Sequence, residues 1–290
     1  MQSLLRYHPS AKAILGRLGL SPKKALGQHF LVGQGVVSNI MKAADIQPQE
    51  MVVEIGPGLG IVTIELMRRS TRVVAVELDN QLALALKREL EPTGLKVVCA
   101  DARVVDVAEL TGGEPYKLVA NLPYYAASPI LRRFLESRHP PVRAVVMVQR
   151  EVAKNMVALP GGMSLMSVGV QLYGLARIAG YVPPSAFYPK PKVTSAIVCI
   201  DVYQQPAVAL EDRKEFFAIV RAGFSAPRKQ LRNALAHGLG ILPGEAQDLL
   251  ETAGIDPKRR AETLSIQAWG ALYSQVQKRG VHASSRLHQG

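Results

Sequence analysis

Hydrophobic positions change their period along the chain and divide it in two. Between residues 51 and 201, short apolar runs recur at 51–55, 71–78, 96–100, 116–120, 143–148, 175–182 and 195–201. Runs of this length, apolar throughout rather than alternating, predict strands buried on both faces of a largely parallel sheet. Intervening stretches with apolar residues three and four apart, such as 61–67 and 80–90, predict helices packed on it. From residue 211 the strand pattern stops, and 213–221, 228–236, 245–253 and 265–277 read as four helices. The expected fold is an α/β, Rossmann-like seven-stranded sheet followed by a small all-helical C-terminal domain. The expected boundaries are a basic arm at 1–22, the sheet domain at 23–203, the helical domain at 211–278 and a mobile tail at 279–290.

The first strand, 51–55, runs into Gly56-Pro57-Gly58-Leu59-Gly60 and then into a helix. A strand that turns through glycines into a helix makes a crevice at the carboxyl edge of the sheet, where open α/β folds bind nucleotides. Missing Cβ atoms let a ligand approach the backbone there. A dinucleotide fingerprint would place a third glycine at the helix start for the pyrophosphate, but Ile61 holds that position. A ligand without phosphate, such as S-adenosylmethionine, suits this turn better. Glu77 closes the second strand 21 positions after Gly56, where such folds place a carboxylate for the ribose hydroxyls. Asp79 reads as the cap of the following helix, and Asp101, ending the third strand, falls near the adenine. The fourth strand runs into Asn121-Leu122-Pro123-Tyr124-Tyr125. The amide offers an acceptor and donors and the tyrosine a flat face, the neutral counterpart of the Asp-Pro-Pro-Tyr type of site that handles exocyclic amines.

Charge adds a partner. The chain of 290 residues carries a net +12, placed unevenly. Residues 1–44 hold six basic residues and no acid, residues 45–182 hold 15 basic and 14 acidic, and residues 183–290 hold 14 and 9. Excess positive charge at both ends, away from the nucleotide-binding middle, points to nucleic acid. Candidate contacts are Lys23 and Lys24, then Lys190 and Lys192 in the proline-rich loop 182–193, which also carries Phe187 for stacking on a base. Arg228, Lys229 and Arg232 stand at helical spacing, with a second basic cluster at 258–260. Cys99 and Cys199 sit in apolar runs and read as packing residues of a reducing compartment, and no metal site is expected. No run reaches the roughly 18 apolar residues of a membrane span, so a soluble cytoplasmic protein is expected.

These residues together resemble the ribosomal RNA adenine dimethyltransferases, in particular the branch acting on the small subunit. The likeness runs from about residue 23 to 272. It is carried by Leu26-Gly27-Gln28-His29-Phe30-Leu31, Glu54-Ile55-Gly56-Pro57-Gly58-Leu59-Gly60, Val76-Glu77-Leu78-Asp79, Ala100-Asp101-Ala102, Asn121-Leu122-Pro123-Tyr124 and Gln149-Arg150-Glu151-Val152-Ala153. Phe187-Tyr188-Pro189-Lys190-Pro191-Lys192-Val193 and Arg260-Ala261-Glu262-Thr263-Leu264-Ser265 extend it. The resemblance implies a methyltransferase sheet, S-adenosylmethionine as donor, and dimethylation at N6 of two neighbouring adenosines near the 3′ end of 16S ribosomal RNA, by a monomer. It implies a cofactor site of His29, Leu31, Gly56, Glu77, Asp101 and Asn121, with catalysis by Asn121, Leu122, Tyr124 and Phe187. Two departures, Asn155 where the family often has a basic residue and a short segment at 160–168, bear on RNA contacts. A large-subunit RNA methyltransferase, a nicotinamide oxidoreductase and a non-catalytic RNA-binding assembly protein remain the alternatives.

Overall fold

The structure, a computed structural model, describes residues 10–123 and 126–280. It divides into two compact units, one reaching to residue 154 and taking in 175–202, the other taking 155–174 and the chain after 202. The split is therefore not a single cut in the sequence. The chain leaves the sheet unit after its fifth large strand, contributes twenty residues to the helical unit, and returns.

In the first unit α1 (Ala11–Leu18), β1 (Phe30–Leu31) and α2 (Gln34–Ala44) precede the alternating part of the chain. That part comprises β2 (Met51–Ile55), α3 (Ile61–Met67), β3 (Arg72–Glu77), α4 (Asn80–Leu90), β4 (Lys96–Cys99), α5 (Val107–Thr111), β5 (Tyr116–Asn121), α6 (Ala127–Leu135) and β6 (Arg143–Gln149). After α7 (Arg150–Met156) and α8 (Leu165–Gln171), the sheet is completed by β7 (Gly174–Val182) and β9 (Ser195–Val202), with the short β8 (Phe187–Tyr188) between them.

The seven long strands lie in the order β4-β3-β2-β5-β6-β9-β7. Pairs from β4 to β6 are parallel, and β9 returns antiparallel to β6. Strand order reverses between β2 and β5, where Ile55 pairs with Ala120. That reversal opens a crevice at the carboxyl ends of these two strands. The central strands are valine-rich because both their faces are covered; Val52, Val53, Val74, Ala75, Val119, Val145 and Val146 are all buried. Edge strand β4 escapes this rule. Cys99, expected inside, is exposed there, while Cys199 on the interior strand β9 is buried.

The proline-rich loop is more than a connector. It contains a short 3-10 turn, Pro184–Ala186, and then β8, which pairs antiparallel with β1 through Phe30–Tyr188 and Leu31–Phe187. The Tyr188–Pro189 peptide is cis. Two-residue strands fall below what a periodicity reading detects.

The second unit holds α9 (Arg213–Phe224), α10 (Leu231–Leu239), α11 (Pro243–Thr252) and α12 (Ile266–Lys278), besides α8. Its core is built on Trp269, Phe216 and Tyr273, the last two in edge-to-face contact at 5.9 Å. Tyr273 also accepts a hydrogen bond from the Asp212 amide at 2.9 Å, while the Asp212 side chain caps α9. The helix expected over 228–236 begins later, at Leu231. Pro227 and the turn closed by the Lys229 amide on the Ala226 carbonyl account for the delay. Arg228 and Lys229 consequently lie in a loop and not on the face of a helix.

Candidate active site

The glycine turn is shaped by two close approaches. Gly56 (φ 70°) would place a Cβ 2.9 Å from the Asn121 carbonyl oxygen, and Gly58 (φ 56°) would place one 3.0 Å from the Phe30 ring. Both positions therefore need glycine for conformation and for space. The turn leaves backbone, not side chain, facing the crevice.

Glu77 stands beside it. Its Oε2 accepts from the Gly58 amide at 3.1 Å and its Oε1 from the Asp79 amide at 2.9 Å. The carboxylate is buried yet lines the cleft, so each oxygen is oriented with a further lone pair available. Burial raises the Glu77 pKa, with Asp79's charge adding to it and the two amides opposing. Asp101, one strand further out, is gripped by Arg103, whose Nη2 lies 2.6 Å from Oδ2 and whose amide donates to Oδ1 at 2.9 Å. The guanidinium holds the Asp101 pKa below the usual carboxylate range.

Across the switch point, Asn121 ends β5. Its Nδ2 donates to the His29 carbonyl at 3.5 Å, which leaves Oδ1 as the acceptor end of the amide. The Leu122 amide is held by the Met147 carbonyl at 3.3 Å, which ties the end of β5 to β6. His29 Nδ1 lies 2.7 Å from the Pro189 carbonyl oxygen and so carries the proton in that hydrogen bond. Phe187, nearly buried, completes this side of the cleft.

His29, Gly56, Glu77, Asp101, Asn121, Leu122 and Phe187 thus line one cleft, which encloses about 890 Å³ of space open to solvent. Leu31 does not line it. Its side chain packs in the main core and borders a separate apolar cavity behind the glycine turn. Tyr124 lies outside the described residues. Lys24, Lys190 and Lys192 are exposed on the same unit, away from the cleft lining. In the second unit the Leu231 amide donates to the Arg259 carbonyl at 2.6 Å, bringing the loop of Arg228 and Lys229 against the basic cluster 258–260. Arg232 departs from the expected grouping. It is half-buried, with Nη1 donating to Gln247 at 3.0 Å, because it sits on α10 and not in the loop.

Several lining residues were not singled out from the sequence. Leu78 is 44% exposed at the cleft, an apolar surface between two acids, and that placement was its only signal. Arg103 and Ile130 line the cleft without any motif. Beneath it lies Glu54, 2% exposed, with Oε2 lacking a hydrogen-bond partner among the described residues. Burial pushes its pKa up to about 8, with the charge of Glu77 contributing and the Thr63 hydroxyl opposing.

The sequence that builds this cleft matches a known family. Its profile, described as ribosomal RNA adenine dimethylase, matches residues 19–278. The chain belongs to this family. A "Ribosomal RNA small subunit methyltransferase A" of Dehalococcoides mccartyi is 47% identical over 264 residues, covering 90% of this chain and 91% of the relative. The protein of the same name from Alkaliphilus metalliredigens is 41% identical, covering 92% and 96%. Among solved structures, a dimethyladenosine transferase from Plasmodium falciparum superposes with a TM-score of 0.76 at 25% identity, covering 88% of this chain and all of that one. The 23S rRNA methyltransferase ErmE shares the fold, with a TM-score of 0.67 at 24% identity over 86% of this chain and 99% of the other. The protein is a ribosomal RNA adenine methyltransferase, and the enzyme uses a methyl donor. No helix among its described residues is long and apolar enough to cross a membrane.

Proposed function

We propose that this enzyme dimethylates N6 of two adjacent adenosines near the 3′ end of 16S ribosomal RNA, on small subunits in the cytoplasm and as a monomer, with S-adenosylmethionine as donor. The observation that carries the reading is that Asn121, Glu77, Gly56 and Phe187 open on one cleft at the switch point of the sheet. The cleft suits this cofactor. Glu77 is a buried acceptor pair for the ribose, the bare turn at Gly56 and Gly58 admits close approach, and Leu78 offers an apolar surface to a flat base. Ile61 opens α3 where a pyrophosphate site would carry glycine.

When bound, S-adenosylmethionine supplies a methyl group already activated by its sulfonium. The protein's task is then the acceptor. The N6 lone pair of adenine is delocalised into the ring and is a weak nucleophile. Asn121 Oδ1 and the Leu122 carbonyl can accept from its N–H groups and favour a pyramidal nitrogen. Phe187 packs against the flipped base from one side, and Tyr124 is assigned to the other. Holding the reacting atoms in line contributes much of the acceleration. In the helical unit, the loop of Arg228 and Lys229 with residues 258–260 would hold RNA phosphates, and Lys24, Lys190 and Lys192 add positive charge on the sheet unit.

Incubating the protein with labelled S-adenosylmethionine and unmodified small subunits, then mapping the label, tests this directly. Dimethyladenosine at two adjacent positions near the 3′ end of the small-subunit RNA is the expected result. Label on large-subunit RNA, or none on either, would overturn it.

A further inference from the structure

Lys23 reads from the sequence as one of a run of basic residues facing RNA, but its ammonium is engaged elsewhere. Nζ lies 2.9 Å from Asp79 Oδ1, and Gln28 Nε2 donates to Asp79 Oδ2 at 2.9 Å. The Lys23 amide in turn donates to Gln28 Oε1 at 2.8 Å, and the turn between them closes through the Leu26 amide on the Lys23 carbonyl at 3.1 Å. Residues 23–28 thus form a closed loop that grips one carboxylate with two heads. The neighbouring Lys24 is exposed and has no such contact among those described.

The gripped residue leads straight to the cofactor cleft. Asp79 is buried at the N-cap of α4, its Oδ1 accepting from the Gln81 amide at 3.0 Å, while its own amide donates to Glu77 Oε1. From the other side of the loop, the chain continues as His29 and Phe30, which line the cleft. It is tied down again by the His29 hydrogen bonds to Asn121 and Pro189 and by the pairing of β1 with β8. The strap over the cleft is therefore anchored at Asp79 on one end and at the Asn121 and β8 edge on the other.

Charge explains why a lysine holds the first anchor. Glu77 and Asp79 are two buried carboxyl groups close enough for the charge of Asp79 to act on Glu77, and the Lys23 ammonium is paired with Asp79. Burial would raise the Asp79 pKa, but the Lys23 ammonium and the Gln28 amide more than offset it and hold the group ionised. An ionised, fixed Asp79 keeps its backbone in the conformation that orients Glu77.

We propose that Lys23 is a positioning residue for the cofactor site: through Asp79 it latches the strap 24–31 over the cleft and fixes the Glu77 carboxylate, and it is not an RNA contact. The proposal rests on the reading of Glu77 as the ribose acceptor.

The test is calorimetric titration of the full chain, free of RNA, with S-adenosylmethionine. Lys23→Met, Lys23→Arg, Asp79→Asn and the Lys23→Met/Asp79→Asn double variant are compared with Glu77→Ala, folding being checked by thermal melting. Lys23→Met should weaken cofactor binding about three- to tenfold, a modest loss because the lysine is partly solvated. Lys23→Arg should restore most of it, and the double variant should be no worse than the worse single one, since both remove the same contact. RNA binding of the cofactor-free protein, and its salt slope, should not change in Lys23→Met. Normal cofactor affinity in Lys23→Met with a large loss in Glu77→Ala would overturn the latch alone. Weakened RNA binding with a shallower salt slope and unchanged cofactor affinity would make Lys23 an RNA contact instead. Normal affinity in Glu77→Ala would overturn the assignment of the cleft and the latch with it.

Discussion

Gly56 packs against the carbonyl oxygen of Asn121 so closely that a Cβ would stand 2.9 Å from it. The turn that would cradle the donor and the residue that would hold the acceptor amine are thus in direct backbone contact, because β2 and β5 are neighbours in the sheet. Gly56→Ala should cost about 1–3 kcal/mol of stability, from the positive φ and the forced shift of β5's end. Methyl transfer should fall by more than cofactor binding does. Denaturant melts paired with single-turnover rates measure both, and a variant of normal stability and rate would break the link.

Asn121 itself should govern product identity. After one transfer N6 keeps a single N–H, and a neutral amide can lose one hydrogen bond without stranding a buried charge. Asn121→Ala should lower both transfers by roughly 10²–10³-fold with the cofactor still bound. Asn121→Asp should slow the second transfer more than the first, because a carboxylate facing the new methyl group is poorly solvated. Mass spectrometry of digested RNA reads the ratio; an unaltered ratio of mono- to dimethyladenosine in Asn121→Asp counts against this role.

Glu54 makes stability depend on pH in a definite direction. Its folded pKa, about 8, lies above its ordinary value of 4.5, so the native state binds the extra proton between these limits. Stability should then fall as pH rises from about 4.5 towards 8, the full contribution being present only below the lower value. Glu54→Gln, which stays neutral, should flatten this slope and be more stable than the parent at pH 8 by roughly 1–3 kcal/mol. Urea melts of the cofactor-free protein across pH 5–8.5 give the comparison. Parallel profiles for the two proteins would show that Glu54 does not titrate in this range.

The basic loop should act on RNA and leave the cofactor alone. Reversing Arg228 and Lys229 to glutamate ought to weaken binding to small-subunit RNA and make its salt slope shallower by roughly 0.7–0.9 per lost phosphate contact. Arg232→Gln should destabilise the helical unit instead, since Arg232 pairs with Gln247 inside it. If Arg232→Gln weakened RNA binding with no loss of stability, the assignment of these two roles would be reversed.

Much of this enzyme was legible in its sequence. All seven long strands fall within one residue of the expected runs, because strands covered on both faces must be apolar throughout and the turns between them carry glycine, proline and asparagine. That the glycine turn, Glu77, Asp101 and Asn121 meet at one cleft was readable for a related reason: residues just after each strand gather at the carboxyl edge of such a sheet, so position along the chain stands in for position in space. What only the tertiary structure decided are the pairings between segments far apart in sequence. The β1–β8 strap, the transfer of residues 155–174 to the helical unit, the exposure of Cys99 on an edge strand, the inward turn of Arg232 and the capture of Lys23 by Asp79 each depend on which distant neighbour a residue meets. A local pattern records whether a position prefers to be buried or to carry charge. It does not record the partner, because burial and pairing are set by contacts that form only when the whole sheet has closed around them.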